Sequence, residues 1–411
     1  MTGRQFALWI LGFTMAVGCL WAEDGSRLWL RYDKISDSER FKHYEKSIKE
    51  LVLPPSFSSD NVIGEELQRG LSGLLGKAIP VTNSISQNGA VVIVTPDSPK
   101  GVRGLMGAAK LKACGPQGYL IQSCRVDDRR VTVIAANTHT GVLYGSFHFL
   151  RLIQTAQPID TLSIQRVPRI QRRLLNHWDN LNGSVERGYA GRSIWDWPQL
   201  PEKINPRIKD YARANASIGI NGVVVNNVNT QAEILSQDYL RKASVIAESL
   251  RPYGVRIYFS VKFTSPKEIG GLDSADPLAP QVAQWWKDKA DEIYNLIPDF
   301  GGFLVKAYSE GQPGPQGYGR THAEGANCLA RALAPHGGMV MWRAFVYDSA
   351  VDPDRAKRAY KEFMPLDGDF DSNVFVQAKN GPLDFQPREP FHPLFGGMSL
   401  TPVSMEFQIT Q

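Results

Sequence analysis

Cysteine is scarce in this chain, with four residues among 411, and Cys114, Cys124 and Cys328 stand at no spacing that would hold a metal. No cluster of His, Asp and Glu has ligand spacing either, so metal-assisted hydrolysis has little to rest on and no metal or other cofactor is expected. A Gly-x-Ser-x-Gly elbow is absent, which argues against serine hydrolysis. Charge of one sign is not concentrated anywhere. The net charge is only +5 and the Lys and Arg residues are scattered, so nucleic acid is not an expected partner. A long apolar run is also lacking. The one candidate, Phe6 to Val17, is too short to span a bilayer comfortably.

That run has the layout of an export signal: Arg4 before it, and small residues from Gly18 to Ala22 ahead of Glu23-Asp24. Residues 1–22 are therefore read as a signal peptide of a secreted or periplasmic protein. Ala-Val-Gly-Cys19 is a weak lipobox-like sequence, and cleavage near Ala22 is preferred to lipid anchoring at Cys19. Outside the cytoplasm Cys114 and Cys124 could pair, or both could be buried thiols.

A 43% hydrophobic chain of this length can bury a large core and two domains. Nine Trp and fourteen Tyr would suit stacking on sugar faces, although core packing uses most aromatics in most proteins. Residues 23–155 read as a small α+β domain. Arg27–Tyr32 alternates like an edge strand. Leu67, Leu71, Leu74 and Leu75 predict a helix over 65–77, and Ala90–Thr95 a buried strand. Tyr119–Cys124 and Arg130–Ala135 form a hairpin across Asp127-Asp128, and a helix over 140–153 leads out.

Residues 156–411 repeat strand, loop and helix. Strands are predicted at Leu174–Trp178, Gly219–Val225, Val255–Val261, Phe303–Val305, Met339–Trp342, Val374–Ala378 and Met405–Ile409. Long crossovers between parallel strands are the mark of a (β/α)8 TIM barrel. An open doubly wound sheet competes, but no glycine-rich phosphate loop supports it. With seven strands found, the barrel is expected to be incomplete, and the chain is read as a fragment of a longer protein.

The strand ends collect Asn176, His177, Trp178 and Asp179; Asn226, Asn227 and Asn229; Lys262; Lys306 and Glu310; Arg343; then Lys379, Asn380 and Asp384. Arg grips a carboxylate with a planar fork, Lys adds a point charge, and Trp covers a sugar face, so the mixture fits an acidic carbohydrate. Phe303–Pro315 is the centre of this reading. Its strand is expected to carry Lys306 and Glu310 four residues apart on one pleat face. Glu310 and Asp384 could be the two carboxyl groups of an inverting glycosidase, although a Lys306–Glu310 pair would oppose the acid's role. His177 reads as a hydrogen-bonded wall residue. His322 and Glu324 are placed in the loop after the acid, near the site or simply solvated, and the facing of Glu406 is left open.

Several stretches resemble the family 67 α-glucuronidases: Asn176–Asn180, Gly183–Gly191, Val305–Pro315, Met341–Tyr347, Asn380–Phe385 and Met405–Gln411. The resemblance implies release of glucuronic or 4-O-methylglucuronic acid, with inversion, from the non-reducing end of glucuronoxylo-oligosaccharides. It also implies a homodimer formed through a C-terminal helical domain. Carried over by position, Glu310 would be the general acid and Asp384 a carboxylate activating water. Lys306 and Arg343 would bind the uronate carboxylate, Trp178 would wall the pocket and Val228 would shape it. The family motif continues with a Glu where this chain ends at Gln411, so little activity is expected of the chain as given. A non-catalytic uronate-binding remnant and a barrel glycosidase of other specificity are the alternatives.

Overall fold

A computed structural model describes residues 25–54, 57, 61–98, 104, 107–345, 352–354, 357–381, 385–386 and 388–409. The expected signal peptide with Cys19 lies outside them, and so does Asp384.

The first sheet has six strands: β1 (Glu50–Val52), β2 (Val81–Thr82), β3 (Ala90–Val94), β4 (Tyr119–Val126), β5 (Arg129–Ala136) and β6 (Ser163–Arg166). Their order is β2-β1-β3-β5-β4-β6, parallel except where β4 runs against β5 and β6. The β4–β5 hairpin turns on Asp127 and Asp128, both at positive φ, a conformation that short polar side chains tolerate. Helices Val62–Leu75 and His139–Gln154 pack on this sheet through Leu67, Leu71, Leu74, Val142, Phe147 and Leu150.

The strand expected at 27–32 does not form. Leu28 and Tyr32 take positive φ, and the segment turns. Its large side chains are used elsewhere: Trp29 Nε1 donates to Ser217 Oγ at 2.8 Å, and the Tyr32 hydroxyl donates to Glu66. Alternation in a short run says little when each side chain has its own tertiary partner. Glu66 also accepts from Arg213 Nε at 2.6 Å and Nη2 at 2.9 Å, joining helix Val62–Leu75 to helix Arg207–Ser217. Cys114 and Cys124 are not paired. Both are free thiols, and Cys114 Sγ donates to the Lys110 carbonyl.

The second sheet has seven strands, all parallel: β7 (Leu174–Asn176), β8 (Gly222–Val224), β9 (Arg256–Ser260), β10 (Gly302–Lys306), β11 (Met339–Arg343), β12 (Val374–Lys379) and β13 (Val403–Glu406). They stand side by side in chain order, as successive right-handed crossovers give. Phe303, Val305, Val340, Trp342, Val374 and Val376 point outward into the helix-packed core. Val224, Tyr258, Leu304, Met339 and Met341 cluster on the other face with Leu174, Trp178 and Phe375. This inner cluster reaches from β7 to β12, so the sheet is curled. The Arg172 guanidinium, just before β7, lies 4.6 Å from the Phe375 ring on β12. The architecture is an incomplete (β/α)8 barrel, with β7 and β13 as its end strands among the described residues. Gly302 starts β10 at φ 137°, where an added Cβ would stand 1.9 Å from the Met339 carbonyl oxygen. Glycine lets β10 and β11 come together there.

Candidate active site

Side chains alternate along a strand, so the inner face of each barrel strand can be read upward from the apolar cluster. On β10 it runs Leu304, Lys306; on β11, Met341, Arg343; on β12, Phe375, Gln377, Lys379; and on β13, Ser404, Glu406. Register pairs Lys306 with Arg343, Arg343 with Gln377, and Lys379 with Glu406. The inner face is thus apolar below and ionic at the C-terminal rim, where a parallel barrel presents its loops.

Lys306 is 1% exposed. Its Nζ donates to Asn229 Oδ1 at 2.8 Å and to Glu310 Oε2. Burial pulls its ammonium below the ordinary lysine range, and Glu310 offsets only part of that. Arg343 forms a two-pronged pair with Glu406, Nε to Oε2 at 2.7 Å and Nη2 to Oε1 at 2.5 Å. Gln377 Nε2 donates to Glu406 Oε2 at 2.7 Å. Burial alone would raise the Glu406 carboxyl, yet Arg343, Gln377 and Lys379 together hold it below the ordinary glutamate range.

One aromatic ring collects the cations. Lys306 Nζ lies 5.0 Å from the Phe345 centroid, the Arg343 guanidinium 4.6 Å and Lys379 Nζ 4.2 Å. The electron-rich face of a buried ring partly replaces the hydration these groups lose.

Glu310 meets Lys306 as expected, but not along a pleat. The strand ends at Lys306, and Glu310 lies four residues further on at φ 49°, inside a turn closed by Ser309 and Gln312. The turn, with Tyr308 also at positive φ, brings the carboxylate back over the strand end. Arg187 Nη2 stands 3.6 Å from Glu310 Oε1, and Arg187 Nε 3.4 Å from Glu186 Oε1.

Trp178 and Val228 join the inner apolar cluster, and Trp178 meets Phe385 edge-on at 6.1 Å. The structure therefore brings Lys306, Glu310 and Arg343 to one rim, above the apolar floor that includes Val228 and Trp178. His177 is hydrogen-bonded, as expected, but it does not wall the site. Its ring faces away from the inner cluster and packs on Trp195 and Tyr211, with Nε2 bonding the Tyr211 hydroxyl at 2.8 Å and Nδ1 lying 3.3 Å from Asp179. His322 and Glu324 are not in a loop. They open helix His322–Leu333, where Glu324 closes a capping box with Thr321. His322 is buried between Trp342 Nε1, which donates to its Nδ1 at 3.0 Å, and Glu362. Among the described residues no group of His, Cys, Asp and Glu is placed to hold a metal ion.

Residues 28–149 match the glycosyl hydrolase family 67 N-terminus and residues 152–411 the glycosyl hydrolase family 67 middle domain. The chain belongs to glycosyl hydrolase family 67. It is 40% identical over 406 residues to alpha-glucuronidase A of Emericella nidulans, covering 95% of this chain and 47% of that protein. It is 40% identical over 414 residues to the alpha-glucuronidase of Hypocrea jecorina, covering 96% and 48%. The chain thus spans about half the length of the curated relatives it matches. The solved structure of CpGH84D aligns with a TM-score of 0.51 at 10% identity over 81% of this chain and 52% of that one, which speaks to fold alone.

In this family 67 chain, sequence reasoning gave Phe345, Glu186 and Arg187 no role, although all three lie in the quoted motifs. Phe345 follows the end of β11, and Glu186 and Arg187 lie in a loop, so strand alternation carried no signal for them. The facing of Glu406 had a usable signal. It shares the inward parity of Ser404, but the strand was placed two residues too late to use it.

Proposed function

We propose that the chain carries the sugar-binding and acid half of a glycosidase that releases glucuronic acid, or its 4-O-methyl ether, from the non-reducing end of glucuronoxylo-oligosaccharides. The observation that carries this reading is the contact of Glu310 with buried Lys306 one strand from Arg343. A proton donor and cations for an acidic sugar share one rim there. The names of the relatives support the same substrate class.

In this reading Lys306 receives the uronate carboxylate, with Arg343 and Lys379 adding charge beside it. Trp178 walls the ring and Val228 limits the pocket floor. Glu310 gives a proton to the departing xylosyl oxygen. Asp384 takes one from the water that attacks the anomeric carbon from the opposite face, which inverts configuration. Export through residues 1–22 and a homodimer built through a C-terminal helical domain belong to the same proposal.

Incubation of the chain, carried to the full length of its relatives, with aldouronic acids tests it, since little turnover is expected of residues 1–411 by themselves. Release of (4-O-methyl)glucuronate as the α-to-β inverted anomer, lost in Glu310→Gln, is expected. Cleavage of neutral aryl glucosides with uronate-bearing substrates untouched would overturn it.

A further inference from the structure

The donor lysine and the acid are already bonded to each other, and that contact has a chemical consequence. Both Glu310 oxygens face cations: Oε2 accepts from Lys306 Nζ, and Oε1 stands 3.6 Å from Arg187 Nη2. Ammonium and guanidinium groups only donate hydrogen bonds, so neither offers an acceptor to a carboxylic O–H. This arrangement offers Glu310 only donors, while the proposed reaction needs it to carry and give up a proton.

We propose that a sugar carboxylate arriving on Lys306 displaces Glu310, and that this exchange loads Glu310 with the proton it later donates. The inference rests on the reading given under Proposed function and extends it: the uronate group arms the acid besides anchoring the substrate. The step balances. One sugar carboxylate and one proton from solvent enter, the Lys306 ammonium changes partner, and Glu310 passes from carboxylate to carboxylic acid. No bond to carbon changes.

Lys306 is where the exchange can happen. Its side chain is fully buried, so losing Glu310 without a substitute would leave an unpaired buried charge, which is strongly unfavourable. A uronate supplies the substitute; a neutral sugar does not. Arg343 is bound through two hydrogen bonds to Glu406, itself held by Gln377, whereas Glu310 gives Lys306 one oxygen and its side chain is 29% exposed at the rim. The charged groups around the exchange are Glu186 and Arg187 from the loop after β7, Arg343 from β11, Lys379 from β12 and Glu406 from β13. Asn229 stays on Lys306 Nζ throughout, a neutral partner that anchors the ammonium while carboxylates trade places.

Calorimetric titration with D-glucuronate and D-glucose, in buffers of different ionisation enthalpy between about pH 6 and 8, tests the exchange. Glucuronate is expected to bind the wild-type chain with net proton uptake, its Kd rising as pH rises. Glu310→Gln should bind glucuronate with neither uptake nor pH slope, and glucose should show no uptake. Glucuronate binding without proton uptake overturns the exchange and leaves the functional reading standing. Uptake that persists in Glu310→Gln also overturns it, because the proton then goes to another group. Failure of glucuronate to bind better than glucose overturns the functional reading and the exchange together.

Discussion

Arg343 on β11 and Glu406 on β13 reach each other across β12 through two near-parallel hydrogen bonds, with side chains only 3% and 8% exposed. The pair ties the end strand β13 to the middle of the sheet. Removing Glu406 takes the two-pronged carboxylate from a buried guanidinium, and breaking a buried pair in this way costs about 3–5 kcal/mol. Glu406→Ala is therefore expected to lower unfolding free energy by that amount in urea titration. The double variant Arg343→Leu with Glu406→Leu should lose much less. A Glu406→Ala chain as stable as wild type would show that the pair is not intact in solution.

Acid should destabilise the fold in two stages. Burial draws the imidazoles of His148 and His392 down from 6.5 to about 4. Between those values the unfolded chain binds more protons than the folded one, so stability is complete above about pH 6.5 and is lost as pH falls toward 4. Glu406, held below its ordinary value of 4.5, adds stability that is present above 4.5 and lost as pH falls through its folded value. Melting temperature measured from pH 8 to 3 should decline accordingly. His148→Gln should flatten the upper part of the curve and Glu406→Gln the lower part.

Lys306 is expected to trade stability for binding. Burial disfavours its ammonium, so Lys306→Met removes a desolvated charge and fills the same space with an apolar chain. The variant should melt no lower than wild type and bind glucuronate at least ten times more weakly. A large loss of stability would mean that the lysine serves the fold rather than the ligand.

Phe345 should matter more than its size suggests. Each cation above its ring contributes about 0.5–2 kcal/mol, depending on desolvation, and three share it. Phe345→Leu is expected to cost about 2 kcal/mol and to weaken glucuronate binding, with Phe345→Tyr close to wild type. Equal stability of the Leu and Tyr variants, by thermal or urea unfolding, would remove the ring from the account.

The barrel was legible because its strands are short apolar runs bounded by polar rims. Phe303–Val305 and Met339–Trp342 fall inside β10 and β11, and Val374–Ala378 inside β12. Failures came where tertiary contact outweighs local pattern. Arg27–Tyr32 alternates, yet Trp29 and Tyr32 are committed to Ser217 and Glu66, far away in sequence. Lys306 and Glu310 were correctly placed together for the wrong reason. A pleat was inferred, whereas a turn with Tyr308 and Glu310 at positive φ brings them into contact. The ionic partners of the site were the hardest part. Glu406 is 63 residues from Arg343, and Arg187 is more than a hundred from Glu310, separations that no local period encodes.

The most direct test of the central claim is a crystal structure of the chain soaked with glucuronate. The account predicts the sugar carboxylate within hydrogen-bond reach of Lys306 Nζ, the ring against Trp178, and the Glu310 carboxyl moved off Lys306 toward the anomeric oxygen. A sugar bound elsewhere, or bound with its carboxylate turned away from Lys306 while Glu310 keeps its place, would contradict it.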